Sequence, residues 1–359
     1  RPFQMTRADD AAMTKTLEFH ATANGLTIVD PADFRVERRP HGNGHRICFA
    51  NGDAITDKCL KARVKALVLP PAWRDVKICV EENGHIQATG RDEKGRLQYR
   101  YHDVWVNVRN AVKTERLLRF GRALPQLRRH IDRDMRRRQP DEKLAAATAV
   151  RLIDLSSMRP GHEKYAIDGG RGVASLEKTN LRMRGNGAIL DFVGKSRKRQ
   201  TVEIRDRRLV NGLARMRKGR GKRLFKFQGQ DRQDHVLTAN RLNDYLHVAG
   251  HARISAKDFR TFRGSAEALR YLIEEVGPSA DTEPKRRRAV AAAMRAVSDV
   301  LRNTPSVARS SYVHPGIVSA FEAQELDFDL MKGRARQGLS KAETGLMRFL
   351  EESAQSCRS

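Results

Sequence analysis

Apolar positions recur along this chain with two periods, and the change from one to the other divides it. In the first hundred residues the pattern is short and alternating. Segments 34–39 and 45–50, separated by Pro40-His41-Gly42-Asn43-Gly44, predict one β-hairpin; 75–80 and 85–89, joined across Glu82-Asn83-Gly84, predict a second. Between them Leu60, Val64 and Leu67 fall at helical spacing over 56–69, until Pro70-Pro71 ends the run. From Val106 onward helical spacing takes over. Segment 110–135 carries Val112, Leu117, Leu118, Phe120, Leu124 and Leu127, and Pro125 predicts a break into two helices. Pro140-Asp141 opens a helix through Leu155 with Leu144, Val150 and Ile153 inward. Further helices are predicted at 236–248, 264–276 and 284–301, the last with Val290, Met294, Val297 and Leu301 on one face. One β interlude interrupts them: 190–193 and 201–204 flank the tip Gly194-Lys195-Ser196-Arg197-Lys198-Arg199. Segments 215–223 and 277–285 read as loops, and helical potential returns at 316–325 and 341–352.

The expected fold class is α+β. A small β-rich domain over 14–105 precedes a mainly α-helical domain over 106–325 that carries a β-hairpin, and 326–359 forms a helical tail.

Charge changes the picture most. The 359 residues hold 70 Lys and Arg against 43 Asp and Glu, a formal +27. Such an excess opposes compaction by self-repulsion, so a polyanionic partner is expected to offset it, nucleic acid first. No apolar run reaches transmembrane length, and residues 1–13 lack the apolar stretch of a secretory signal, so a cytoplasmic location at the nucleoid is expected. Cys48, Cys59, Cys79 and Cys357 are spaced too irregularly for a zinc module or a disulfide framework. The pairs His41/His45 and His247/His251 cross glycines and lack a metalloprotease Glu, so no metal site is expected.

Against nucleic acid, the residue types that matter are those able to break and remake a phosphodiester. Attack on phosphorus needs a nucleophile, charge stabilisation on the non-bridging oxygens, and a proton for the leaving oxygen. A tyrosine hydroxyl serves as nucleophile once positive charge lowers its pKa from about 10. The planar fork of arginine suits the oxygens, and lysine can surrender a proton. In so basic a chain most Arg and Lys residues are solvated or position phosphate, and most tyrosines pack; local context must select the rest.

That context exists. Arg159-Pro160-Gly161-His162-Glu163-Lys164-Tyr165, Phe192-Val193-Gly194-Lys195, Lys257-Asp258-Phe259-Arg260-Thr261, Asn303-Thr304-Pro305-Ser306 and Ser311-Tyr312-Val313-His314-Pro315 together resemble type IB DNA topoisomerases. Leu69-Pro70-Pro71-Ala72-Trp73, Gln87-Ala88-Thr89-Gly90-Arg91-Asp92 and Gln98-Tyr99-Arg100-Tyr101-His102 resemble the N-terminal domain of the compact bacterial and poxvirus branch. The likeness runs in family order over roughly residues 20 to 325.

The resemblance implies a helical catalytic domain of the tyrosine recombinase and type IB topoisomerase kind, with the catalytic lysine on the β-hairpin. It implies that Tyr312 attacks a backbone phosphorus and is joined to the 3′ end of the cut strand. Arg159 and Arg260 then clamp the non-bridging oxygens, Lys195 protonates the departing 5′ oxygen, and Asn303 donates a further hydrogen bond where many members carry His. An amide donates without titrating, so its contribution is electrostatic. The same resemblance assigns DNA contacts to Lys94, Arg96, Gln98, Tyr99 and Tyr101 on one strand and to Lys164 and Tyr165 near the cut. It implies relaxation of supercoils in double-stranded DNA by a monomer that closes as a clamp and lets one strand rotate. No ATP and no cofactor are required, Mg2+ being at most stimulatory.

Three departures stand out: Pro160 where an aliphatic residue is usual, Arg197 where glycine is common, and Phe262-Arg263-Gly264 in place of Trp-Ala-Gly. Pro160 is expected to start a helix just after Arg159 ends one. Two other functions remain open at this level. A tyrosine recombinase shares the chemistry, but Lys257 stands where it usually has His and its N-terminal half is helical. A non-catalytic architectural DNA binder would have the same composition without the ordered set.

Overall fold

The computed structural model describes residues 7–42, 44–161, 170–219, 221–229 and 231–356. The chain divides into two compact units, Arg1–Lys113 and Thr114–Ser359.

The first unit opens with helix α1 (Arg7–Ala23) and is built on five antiparallel strands: β1 (Val36–His41), β2 (Gly44–Phe49), β3 (Arg74–Ile78), β4 (Ile86–Arg91) and β5 (Leu97–Tyr101), in the order β2-β1-β3-β4-β5. Both predicted hairpins are present, and β1 also pairs with β3, which merges them into one sheet. Strand alternation places Val36, Val76, Ile78 and Ala88 on the face covered by Val64 of helix α2 (Lys58–Ala66). The Asp57 carboxylate caps that helix by accepting from the amides of Cys59 (2.7 Å) and Leu60 (3.2 Å). Strand β5 forms one edge of the sheet.

The second unit contains most of helix α3 (Trp105–Asp134), which runs unbroken through Pro125. The predicted break does not occur. Leu117, Leu124, Leu127 and Ile131 form one buried stripe on either side of the proline, and Gly338 lies directly against the ring, where a side chain would collide. Packing along the stripe outweighs the lost backbone hydrogen bond. Helix α4 (Glu142–Ser156) sits at the centre of this unit. Every residue from Leu144 to Val150 is buried, so this stretch is packed on all sides, and its alanines let neighbours approach closely.

Three antiparallel strands follow: β6 (Leu181–Arg184), β7 (Gly187–Val193) and β8 (Arg199–Ile204), with β7 central. The sequence reading found β7 and β8 but missed β6. Helix α5 (Arg207–Lys218), the short pair β9 (Lys226–Gln228) and β10 (Asp234–Val236), and helix α6 (Ala239–Gly250) come next. The helix expected from 236 therefore begins later, after the Thr238 cap, because 234–236 pairs as a strand. Helix α7 (Ala256–Arg270) begins well before the expected 264 and continues as a π-helical turn over Tyr271–Val276. Its start is fixed by Ser255 and Asp258, whose carboxylate accepts from the Ser255 amide at 2.7 Å. Helices α8 (Glu283–Leu301), α9 (Pro305–Ser311), α10 (Pro315–Glu322) and α11 (Lys341–Ser356) complete the unit. The segment expected as a tail is thus helical over α11, and its Leu346, Met347 and Leu350 are buried in the same core as α3, α4 and α7. No described helix is long and apolar enough to cross a membrane.

Candidate active site

Four segments far apart in sequence deliver cationic side chains to one small pocket. Helix α4 stops at Ser156, Ser157 turns left-handed (φ 56°), and Arg159 follows outside any helix or strand. Arg159 therefore lies beyond the helix end, in contrast to the expected placement at its last turn. The carbonyls of Arg159 and Pro160 accept from the amides of Val173 (2.9 Å) and Ala174 (2.7 Å), and proline fits because its missing N–H is not needed there. Gly161 (φ 81°) and Gly172 touch backbone to backbone, so a Cβ on either would collide with the other. The Arg171 amide donates to the Val193 carbonyl at 2.7 Å, tying this crossing to the β7–β8 hairpin.

At the tip of that hairpin, Lys195 opens a short 3-10 turn, Lys195–Arg197, and its side chain is exposed. Arg197 takes φ 56°, the left-handed region that suits the glycine common there, at a cost of about 1 kcal/mol. Arg260 on α7 is only 3% exposed. Its guanidinium donates to the carbonyls of Ser157 and of Leu301 (3.0 Å), at the ends of α4 and α8, where helix dipoles favour a cation. Arg159, Lys195 and Arg260 line one pocket, together with Arg171, Gln200 and Arg302.

Tyr312 follows α9 and is 5% exposed. Its hydroxyl accepts a hydrogen bond from Arg159 Nη1 at 2.7 Å, and the Arg260 guanidinium lies 4.7 Å from the centre of its ring. Buried Ser265 fixes the backbone on both sides, its hydroxyl donating to the Tyr312 carbonyl (3.1 Å) and accepting from the His314 amide (3.0 Å). Burial alone would raise the phenol's pKa. The positive charges of Arg260 and Arg159, with their hydrogen bonding, outweigh it and hold the hydroxyl below the ordinary tyrosine value. The same burial lowers the pKa of Arg260.

Asn303 follows the end of α8, and both polar atoms of its side chain are buried with no protein partner among the described residues. A buried amide without partners is costly unless a ligand completes it. His314 is accounted for structurally. Its Nδ1 accepts from the Gly316 amide at 3.2 Å at the start of α10, and Nε2 meets Thr114 Oγ1 at 2.9 Å.

The residues expected on the DNA-contacting strand are placed less uniformly. Lys94 is exposed in the β4–β5 turn. Asp92 accepts from Arg96 Nε (2.8 Å) and Gln98 Nε2 (2.9 Å), and the Arg96 hydrogen bonds lead in holding its carboxyl down to about 2. Tyr99 is 42% exposed, whereas Tyr101 is half-buried between Tyr99 and Trp105, stacked on both. Strand alternation turns Gln98 to the face opposite Tyr99 and Tyr101. Lys164 and Tyr165 lie outside the described residues.

Sequence reasoning missed Arg171, Gln200 and Arg302 in the pocket lining. The glycines flanking Arg171 in Gly170-Arg171-Gly172 signalled a close backbone approach; nothing in the local sequence of Arg302 or Gln200 points to the pocket.

Comparison with known proteins bears on the same segments. Residues 104–335 match the family model for the eukaryotic DNA topoisomerase I catalytic core, and 44–92 match that for the bacterial DNA topoisomerase IB N-terminal domain. The DNA topoisomerase 1B of Acanthamoeba polyphaga mimivirus is 29% identical over 274 residues, covering 74% of this chain and 80% of the viral one. The DNA topoisomerase I of monkeypox virus (21%) and the DNA topoisomerase 1B of vaccinia virus, strain Copenhagen (22%), are similar over 226 residues, covering 62% of this chain and 68% of theirs.

Proposed function

Because the chain belongs to the type IB DNA topoisomerase family, we propose that it relaxes positive and negative supercoils in duplex DNA by nicking and resealing one strand through Tyr312. The observation that carries this reading is the Tyr312 hydroxyl held by Arg159 and faced by Arg260, beside a pocket that those two arginines share with Lys195.

In the cleavage step the Tyr312 phenol loses its proton to solvent and its oxygen forms a bond to phosphorus. Arg159 and Arg260 neutralise charge on the non-bridging oxygens as it develops. The bond from phosphorus to the 5′ oxygen breaks, and Lys195 gives that oxygen its proton. Lys195 is suited to this because it stands on a hairpin tip at the pocket edge. Asn303 adds a neutral donor, which would also satisfy its unpartnered amide. The 3′-phosphotyrosyl ester conserves the bond energy, so strand rotation can be followed by reversal of the same steps without ATP. Neither a metal nor another cofactor is required in this scheme, since the cations at phosphorus are side chains.

Strand β5 and the turn before it, with Lys94, Arg96, Gln98 and Tyr99, supply duplex contacts outside the cut. Asp92 holds Arg96 and Gln98 in place beforehand. The acting species is a monomer working on double-stranded DNA. Incubation with supercoiled plasmid in EDTA without ATP tests the reading: relaxation of both signs of supercoil is expected. Recombination of defined sites without general relaxation would favour a tyrosine recombinase, and binding without relaxation would leave an architectural role.

A further inference from the structure

Arg302 is a residue whose backbone and side chain make different demands. It ends α8 with φ 51°, the left-handed conformation that glycine adopts freely and an L-residue adopts only with strain. The capping itself is done by its backbone amide, which donates to the carbonyls of Ser298 and Asp299. Glycine would serve that purpose with less strain, so the backbone role does not call for an arginine.

That side chain reaches the pocket. Arg302 Nη1 donates to the Ser156 carbonyl at 2.8 Å, at the C-terminal end of α4, which aims the fork. It lines the same pocket as Arg159, Arg171, Lys195 and Arg260, where the described lining residues include no carboxylate. Among these cations Arg171 is paired with Glu177, whereas Arg302 has no acidic partner among the described residues. Uncompensated guanidinium groups gathered around a concave site mark it for an anion with several oxygens.

We infer that Arg302 is a further phosphate-binding residue of this enzyme, its guanidinium donating to an oxygen of the DNA phosphodiester seated among Arg159, Lys195 and Arg260. The inference rests on the nicking and resealing reading above and adds a cation to it.

Arg302→Gly separates the two demands, since it removes the guanidinium and relieves the backbone. The melting temperature is expected to hold or rise. Single-turnover cleavage of a duplex should fall by about tenfold or more, the effect of losing a charged donor at a reacting phosphate. The slope of log affinity against log salt should fall by about one phosphate contact. Arg302→Lys, which keeps the charge and the strain, should recover part of the cleavage rate. An Arg302→Gly protein that binds and cleaves like wild type would overturn the inference. So would a lowered melting temperature with no rescue by lysine, which would reduce Arg302 to a tie on Ser156. Wild-type protein that forms no covalent adduct would instead refute the nicking reading, and the salt slope would then decide on Arg302 alone.

Discussion

Tyr312 is where opposed influences on one proton can be measured. Burial favours the neutral phenol; Arg260 and Arg159 favour the phenolate and prevail. With its pKa depressed in the folded state, the ionised group adds stability that is fully present above the unfolded value of about 10 and disappears as pH falls through the folded value. An ultraviolet titration of wild type minus Tyr312→Phe should therefore show a phenolate with a midpoint below about 10, and Arg159→Ala should move it upward. A midpoint at or above 10 would mean that burial prevails and that the arginines do not activate the nucleophile. The residue types at this site were legible because their local strings are distinctive. What the strings could not supply is the aim of each side chain. Arg260 owes its position to the carbonyls of Ser157 and Leu301, and Tyr312 to Ser265, all distant in sequence.

Among the elements, legibility followed the strength of the local signal. Helix α4 was readable from Asp141 and its apolar run, and the two hairpins of the first unit from their Gly-containing turns, but not the β1–β3 pairing that joins them into one sheet. Strand β6 was missed although Gly185 (φ 51°) and Gly187 bound a turn after it, because four residues give little alternation to count. Pro125 misled for the opposite reason: a strong local breaker was overridden by a buried stripe that no local window weighs. Helix α11 shows the same limit. Its sequence predicts a helix but cannot say that Met347 and Phe262 both crowd Gly121, where a methyl on the glycine would collide with them. Leu350 is fully buried, so Leu350→Ala should cost about 2–5 kcal/mol, read from the midpoint of denaturant unfolding. A loss below about 0.5 kcal/mol would show that α11 is dispensable to the core.

At the scale of the whole molecule the formal charge of +27 and the chemistry at Tyr312 have one common explanation, a polyanionic substrate. Charge alone accounts for binding and not for cutting, since any basic protein would bind duplex DNA with a strong salt dependence. The decisive measurement is covalent capture. Wild-type protein mixed with end-labelled duplex and stopped with denaturant should carry the 3′ end of the cut strand on Tyr312, identified by peptide mapping, while Tyr312→Phe binds the same duplex and carries none. An adduct that persists in Tyr312→Phe, or label attached through the 5′ end, would contradict the account.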